Sequence, residues 1–165
     1  MGCRKCGGSL CCTHSGFILF EALVVVLLLS LAMTMALPAL WEYQEERELD
    51  MAAEEVAAAI RQTETEARSY TTKYGNITDK VAFYCGPDSE GRVSYYARRG
   101  STRVKPKGTL SRNITTHTAL QLTLRKDGYA GASTQYTQTL QTRDGRFRRT
   151  LTVVVYTGRV RIDTY

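Results

Sequence analysis

The chain has 165 residues and a formal charge of +6, with 43% hydrophobic and 23% charged residues. That length leaves room for one globular domain beside any long helix. The charge is split: residues 1–67 carry four basic and ten acidic groups, residues 68–165 eighteen basic and six acidic. A basic C-terminal part suits a nucleic acid, an acidic glycan or an acidic neighbouring subunit, set against an ordinary solvated basic surface.

In chain order, Met1–Gly16 is polar and rich in small residues, with Arg4, Lys5 and His14 and with Cys3, Cys6, Cys11 and Cys12. Cys3-x-x-Cys6 has a spacing that suits a metal site. Phe17–Leu40 then holds one formal charge, Glu21. As a helix this stretch is roughly 36 Å long, enough to cross a hydrocarbon core of about 30 Å. A carboxylate at the centre of a bilayer costs about 2.5–3.5 kcal/mol, and less near an end, so a chain needing only an anchor has no use for Glu21. Arg4 and Lys5 before the span, with Glu42, Glu45, Glu46 and Glu48 after it, predict an N-in, C-out single pass through the cytoplasmic membrane. Pro38 should kink or loosen the helix. Trp41 and Tyr43 fall where amphipathic rings meet the water boundary.

The run from Gly16 through Phe17, Ile18, Leu19, Phe20 and Glu21 to Pro38 resembles the N-terminal signature of type IV pilins and pseudopilins. That signature is a short basic leader, a Gly, then Phe-Thr-Leu-Ile-Glu and an unbroken apolar run. Ile18 stands in place of the common Thr and Phe20 in place of the common Ile. The resemblance implies that prepilin peptidase cuts between Gly16 and Phe17 and methylates the new Phe17 amine. Glu21 would be the fifth residue after the cut, where the family places its glutamate, and Pro38 falls where many members carry a kinking proline. The four leader cysteines would be lost, leaving Cys85 alone, a buried inert thiol or an exposed cross-linking one. The ordinary alternative is cleavage near Ala36–Leu37, releasing a soluble basic protein. A clean Ala-x-Ala site is missing there.

From Glu42 the helix turns soluble. Leu49, Ala52, Val56, Ala59, Ile60, Thr63, Ala67 and Tyr70 recur at three- and four-residue steps and predict a stripe packed on a sheet. Glu54, Glu55, Arg61, Glu64 and Glu66 fall on the opposite face, and Gly75-Asn76 reads as the C-cap. Beyond Asn76 the texture is β. Strands are expected at Ile77–Cys85, Arg92–Ala97, Leu120–Leu124, Tyr136–Thr142, Phe147–Tyr156 and Arg159–Ile162. Lys126-Asp127-Gly128 and Arg143-Asp144-Gly145 are hairpin signals. Val104–Asn113, with Pro106 and Gly108, reads as a loop. The predicted fold is α+β, a long N-terminal helix on an antiparallel β-sheet head. Its parts are a leader (1–16), a membrane or filament-core helix (17–40), an amphipathic continuation (41–75) and the head (76–165).

No catalytic constellation, phosphate-binding loop, metal set or cofactor motif is present in the head sequence, and His117 stands alone outside the leader. An enzyme is therefore not expected. Lys126-Asp127-Gly128 and the final Thr157-Gly158-Arg159-Val160-Arg161 resemble the GspH/FimT family of minor pseudopilins and minor pilins, over about forty residues. This implies assembly with other pilins, on an inner-membrane platform, into a type IV pilus or type II secretion pseudopilus. In members serving natural transformation, the Gly-Arg-x-Arg region is associated with DNA capture. Strand alternation puts Arg159 with Arg161, and Arg146 with Arg148, on shared faces. If the last two strands pair, these four form a strip for double-stranded DNA, which Lys105, Lys107 and Arg112 would extend from the loop. The rival reading gives these arginines to solvent or a neighbouring subunit.

Overall fold

The computed structural model describes residues 13–69, 80–125, 128–129 and 135–164, with side chains from Phe17 onward. Helix α1 spans Thr13–Ser69, 57 residues, and is helical straight through Pro38. The chain divides between Tyr43 and Gln44 into two units.

The first unit is apolar helix. Every side chain from Phe17 to Leu40 is exposed except the half-buried Val24. The segment that begins at Phe17 is, among the described residues, the one helix long and apolar enough to cross a membrane. The leader cysteines and the Gly75-Asn76 cap lie outside the described residues.

The second unit packs the rest of α1 on two antiparallel sheets. Sheet A has five strands: β1 (Val81–Pro87), β2 (Val93–Arg99), β3 (Thr102–Thr109), β5 (Leu120–Arg125) and β6 (Gly128–Tyr129), in the order β3-β2-β1-β5-β6. Sheet B has four: β4 (Ile114–Thr115), β7 (Gln135–Thr142), β8 (Arg148–Val154) and β9 (Arg159–Thr164), in the order β4-β7-β8-β9. The strand pattern is period two, as a sheet with one buried face requires. Val81, Phe83 and Cys85 of β1, Val93, Tyr95 and Ala97 of β2, and Leu120, Leu122 and Leu124 of β5 all point inward. They join Leu140, Leu151 and Val153 of sheet B and Leu49, Ala53, Val56 and Ile60 of α1 in one core. At about 1.5–3 kcal/mol for each large side chain fully buried, this core is what holds the unit together.

The expected helix stripe is present from Leu49 to Ala67, its last member Tyr70 lying outside the described residues, and the head is present with three corrections. The head is two sheets rather than one. The segment read as a loop from Val104 is mostly strand: β3 pairs with β2 along Thr102–Thr109, with a bulge between Tyr96 and Ala97 that absorbs Lys105 and Pro106. Proline is tolerated because β3 is an edge strand, where a missing N–H breaks no ladder on its outer side. Gly108 lets the Tyr95 ring close over β3, since a Cβ there would collide with that ring. Finally, Glu55 and Glu66 do not belong to a purely solvated helix face. Glu55 accepts from the Tyr95 hydroxyl at 2.5 Å, and Glu66 pairs with Arg99 at 3.5 Å.

Candidate functional site

The candidate residues fall in two places. In the first unit, the Gly16–Phe17 junction lies in the first turn of α1. Phe17 is 69% exposed, and Leu19, Phe20, Leu23, Val26, Leu27 and Met33 are similarly bare. A water-soluble helix hides its apolar residues on one side; a helix apolar all round requires lipid or other apolar helices around it. Glu21 interrupts this surface, exposed and with no hydrogen bond or ion pair among the described residues. Pro38 lies within the same exposed run. Ser30 and Thr34 place no free hydroxyl on it, since each donates to a carbonyl three residues back, Leu27 at 2.7 Å and Leu31 at 2.7 Å.

In the second unit, β8 and β9 pair as a hairpin, with Val154 opposite Arg159 and Thr152 opposite Arg161. Arg148, Thr150, Thr152 and Val154 alternate with the buried Arg149, Leu151 and Val153, so Arg148, Arg159 and Arg161 share the outward face. Arg148 and Arg159 stand at opposite ends of the hairpin, about 20 Å apart along β8. Arg161 pairs with Asp163 at 2.7 Å. Arg146 lies in the β7–β8 turn, not on the strand, and binds Asp144 and also Glu45 at 3.0 Å. The structure thus brings together Arg159 and Arg161, sets Arg148 apart on the same face, and ties Arg146 to acids. Lys105 and Lys107 belong to β3 of sheet A, and Arg112 to the turn before β4.

Sequence reasoning missed the ionic seam between helix and sheets. Arg149, only 4% exposed, donates through Nε to Asp50 Oδ1 at 2.5 Å and through Nη2 to Glu46 Oε1 at 2.8 Å. Those hydrogen bonds hold its guanidinium charged and raise its pKa against the desolvating effect of burial. Asn113 donates to Glu48 at 3.3 Å. The signal was available: Glu46 and Asp50 share a helix face at i, i+4, and Arg149 sits at the inward parity of β8.

Cys85 is fully buried, and desolvation pushes its thiol up to about 12. It is the inert thiol of the two expected outcomes. His117 is a surface residue, its Nε2 at 2.8 Å from the Gln141 amide nitrogen. Compared with known protein families, characterised proteins and solved structures, the chain matches none.

Proposed function

We propose that the chain is a pilin-like subunit, a minor pilin or pseudopilin of a type IV pilus or type II secretion machine. The observation that carries this reading is the helix from Phe17 to Leu40, apolar on all sides and carrying one carboxylate, Glu21, that has no partner among the described residues. Such a helix serves two environments. Before assembly it lies in the cytoplasmic membrane, N-terminus in. After cleavage at Gly16–Phe17 it packs among like helices in a filament core. Cleavage creates a cation, the Phe17 amine, four residues from Glu21. The Glu21 carboxylate of one subunit then meets the Phe17 amine of its neighbour, so that two groups costly in an apolar bundle offset each other and set the axial register. The apolar side chains around them supply the bulk of the packing. Partners are the prepilin peptidase, other pilin subunits and the assembly platform. The test is recovery of the chain in filaments sheared from cells. The wild type should be found there, and the uncleavable Gly16→Val chain should be retained in the membrane.

A second reading is favoured by one observation, the shared outward face of Arg148, Arg159 and Arg161. On it the subunit captures double-stranded DNA for uptake through phosphate contacts, without base readout. Replacing Arg159 and Arg161 by Gln should then flatten the salt dependence of duplex binding by about 1.8 in log–log slope.

A further inference from the structure

The outward face of sheet A carries a different arrangement, and nothing in the pilin reading uses it. Tyr84 on β1 stands opposite Tyr96 on β2, with ring centroids 5.1 Å apart and planes inclined by 31°. Tyr84 lies down on the sheet because Gly86, two residues on, has no side chain: a Cβ at Gly86 would meet the Tyr84 hydroxyl at 2.8 Å and Cζ at 3.0 Å. One ring face therefore rests on backbone while the residue stays half exposed. Next to it, the Arg103 guanidinium sits 5.0 Å over the Tyr96 ring. Lys107 is opposite Tyr96, and Arg98 is opposite Arg103.

Two like charges directly across a strand pair destabilise a sheet. Arg98 and Arg103 make such a pair. Among the described residues neither they nor Lys107 form an ion pair that would relieve it. This contrasts with the helix acids, of which Glu45, Glu46, Asp50, Glu64 and Glu66 are all engaged. Asp88 at the β1–β2 turn, which lines the same hollow as Arg103 and Lys107, accepts from the backbone amides of Glu90 and Arg92, each at 2.9 Å. Between Tyr96, Arg103, Lys107 and Asp88 lies an open hollow of about 450 Å³. Beyond Arg98 the face continues across the small side chains of Ala82 and Thr123.

We propose that this face binds single-stranded nucleic acid, a base stacking on Tyr84 while Arg98, Arg103 and Lys107 hold the adjoining phosphates. Charge complementarity selects a polyanion. The flat tyrosine beside unneutralised cations selects a strand with free bases over a duplex, whose bases are already stacked on one another. Stacking is tolerant of base identity because every base has a π-face, so binding has little sequence preference. The proposal does not rest on the pilin reading, nor on the arginines of β8 and β9.

The test is a fluorescence-anisotropy titration of the full chain in non-ionic detergent micelles. The probes are labelled oligothymidine of about 12 nucleotides, a length within the usual span of such sites, and a duplex of equal length. Oligothymidine should bind more tightly than the duplex. Tyr84→Leu should weaken it at least about fivefold, the low end of one stacked base, and Tyr84→Phe should not. Arg98→Gln with Arg103→Gln should lower the log–log salt slope by about 1.4, two single-strand phosphate contacts. These two arginines are exposed, so this variant keeps the test open if Tyr84→Leu fails to fold. Ultraviolet cross-linking of the wild type should mark the peptide holding Tyr84. Absence of oligothymidine binding at low salt overturns the proposal. So does binding indifferent to both sets of substitutions, or a duplex that binds better and responds only to Arg159→Gln with Arg161→Gln.

Discussion

Arg149 on β8 reaches Asp50 on the helix, 99 positions earlier, through a 2.5 Å hydrogen bond from Nε, and its Nη2 takes Glu46 one turn before. One almost wholly buried cation thus fastens sheet B to α1 where the core residues Leu49 and Leu151 also lie. The carboxylates are half exposed, 45% for Glu46 and 50% for Asp50, so water shares the cost of their charge and the arginine bears most of the desolvation.

Arg149→Ala should therefore destabilise the unit by about 1.5–3 kcal/mol, the range for hydrogen bonds to charged groups. Arg149→Lys should recover only part, since an ammonium cannot make the two-pronged contact. Thermal or urea unfolding in detergent checks both. Unchanged stability of Arg149→Ala would show that the seam contributes nothing.

The β7–β8 turn should loosen in acid. Asp144 is held at about 2, first by the Thr142 hydroxyl at 2.6 Å and then by Arg146. Its folded pKa is below the unfolded one, so its contribution is present above about pH 4, the unfolded carboxylate value, and is lost as pH falls towards 2. An NMR titration of the Asp144 carboxyl carbon should give a midpoint well below a free aspartate, and Thr142→Val should bring it back up.

Cys85 should stay silent to thiol reagents. Its sulfur is fully buried and its thiol is pushed up to about 12, so thiolate is scarce at pH 8. Peptide mapping after brief alkylation should find Cys85 unmodified in the folded chain and fully modified in denaturant. Rapid alkylation in the native state would put the thiol at the surface and contradict its place in the core between helix and sheets.

Most of the fold was legible because period decides it. The helix stripe from Leu49 to Ala67 and the alternation of Leu120, Leu122 and Leu124 follow from which side must be dry. Less legible were features set by neighbours in space. Pro106 and Gly108 read as breakers in sequence, but an edge strand accepts the first and Tyr95 needs the second. Glu55 and Glu66 read as solvent residues until Tyr95 and Arg99 came across from β2. Pairing of β8 with β9 could enter from sequence only as a condition. That Asp163 would take Arg161, and that Glu45 and Asp144 would take Arg146, depended on folded geometry. Glu21 was visible from sequence alone, because a lone carboxylate in an apolar run stands out before any fold is known.

Glu21→Ala should leave processing largely intact and deplete the chain from filaments. On the proposed pairing the Phe17 amine would then lack its partner, and removal of one member of a buried pair typically costs about 3–5 kcal/mol. Quantitative immunoblots of membrane and sheared filament fractions read this directly. Normal filament levels of the alanine variant would show that Glu21 does not set register. Glu21→Gln, which keeps the shape and loses the charge, separates ionic pairing from packing.

Processing at Gly16 is read by the mass of the N-terminal peptide of the chain extracted from membranes of cells that make prepilin peptidase. A pilin-like subunit should begin at Phe17 and be heavier by one methyl group, and a full-length precursor should remain when Gly16 is replaced by Val. A chain beginning at Met1 in those cells, or one cut after Ala36, would contradict a pilin-like subunit.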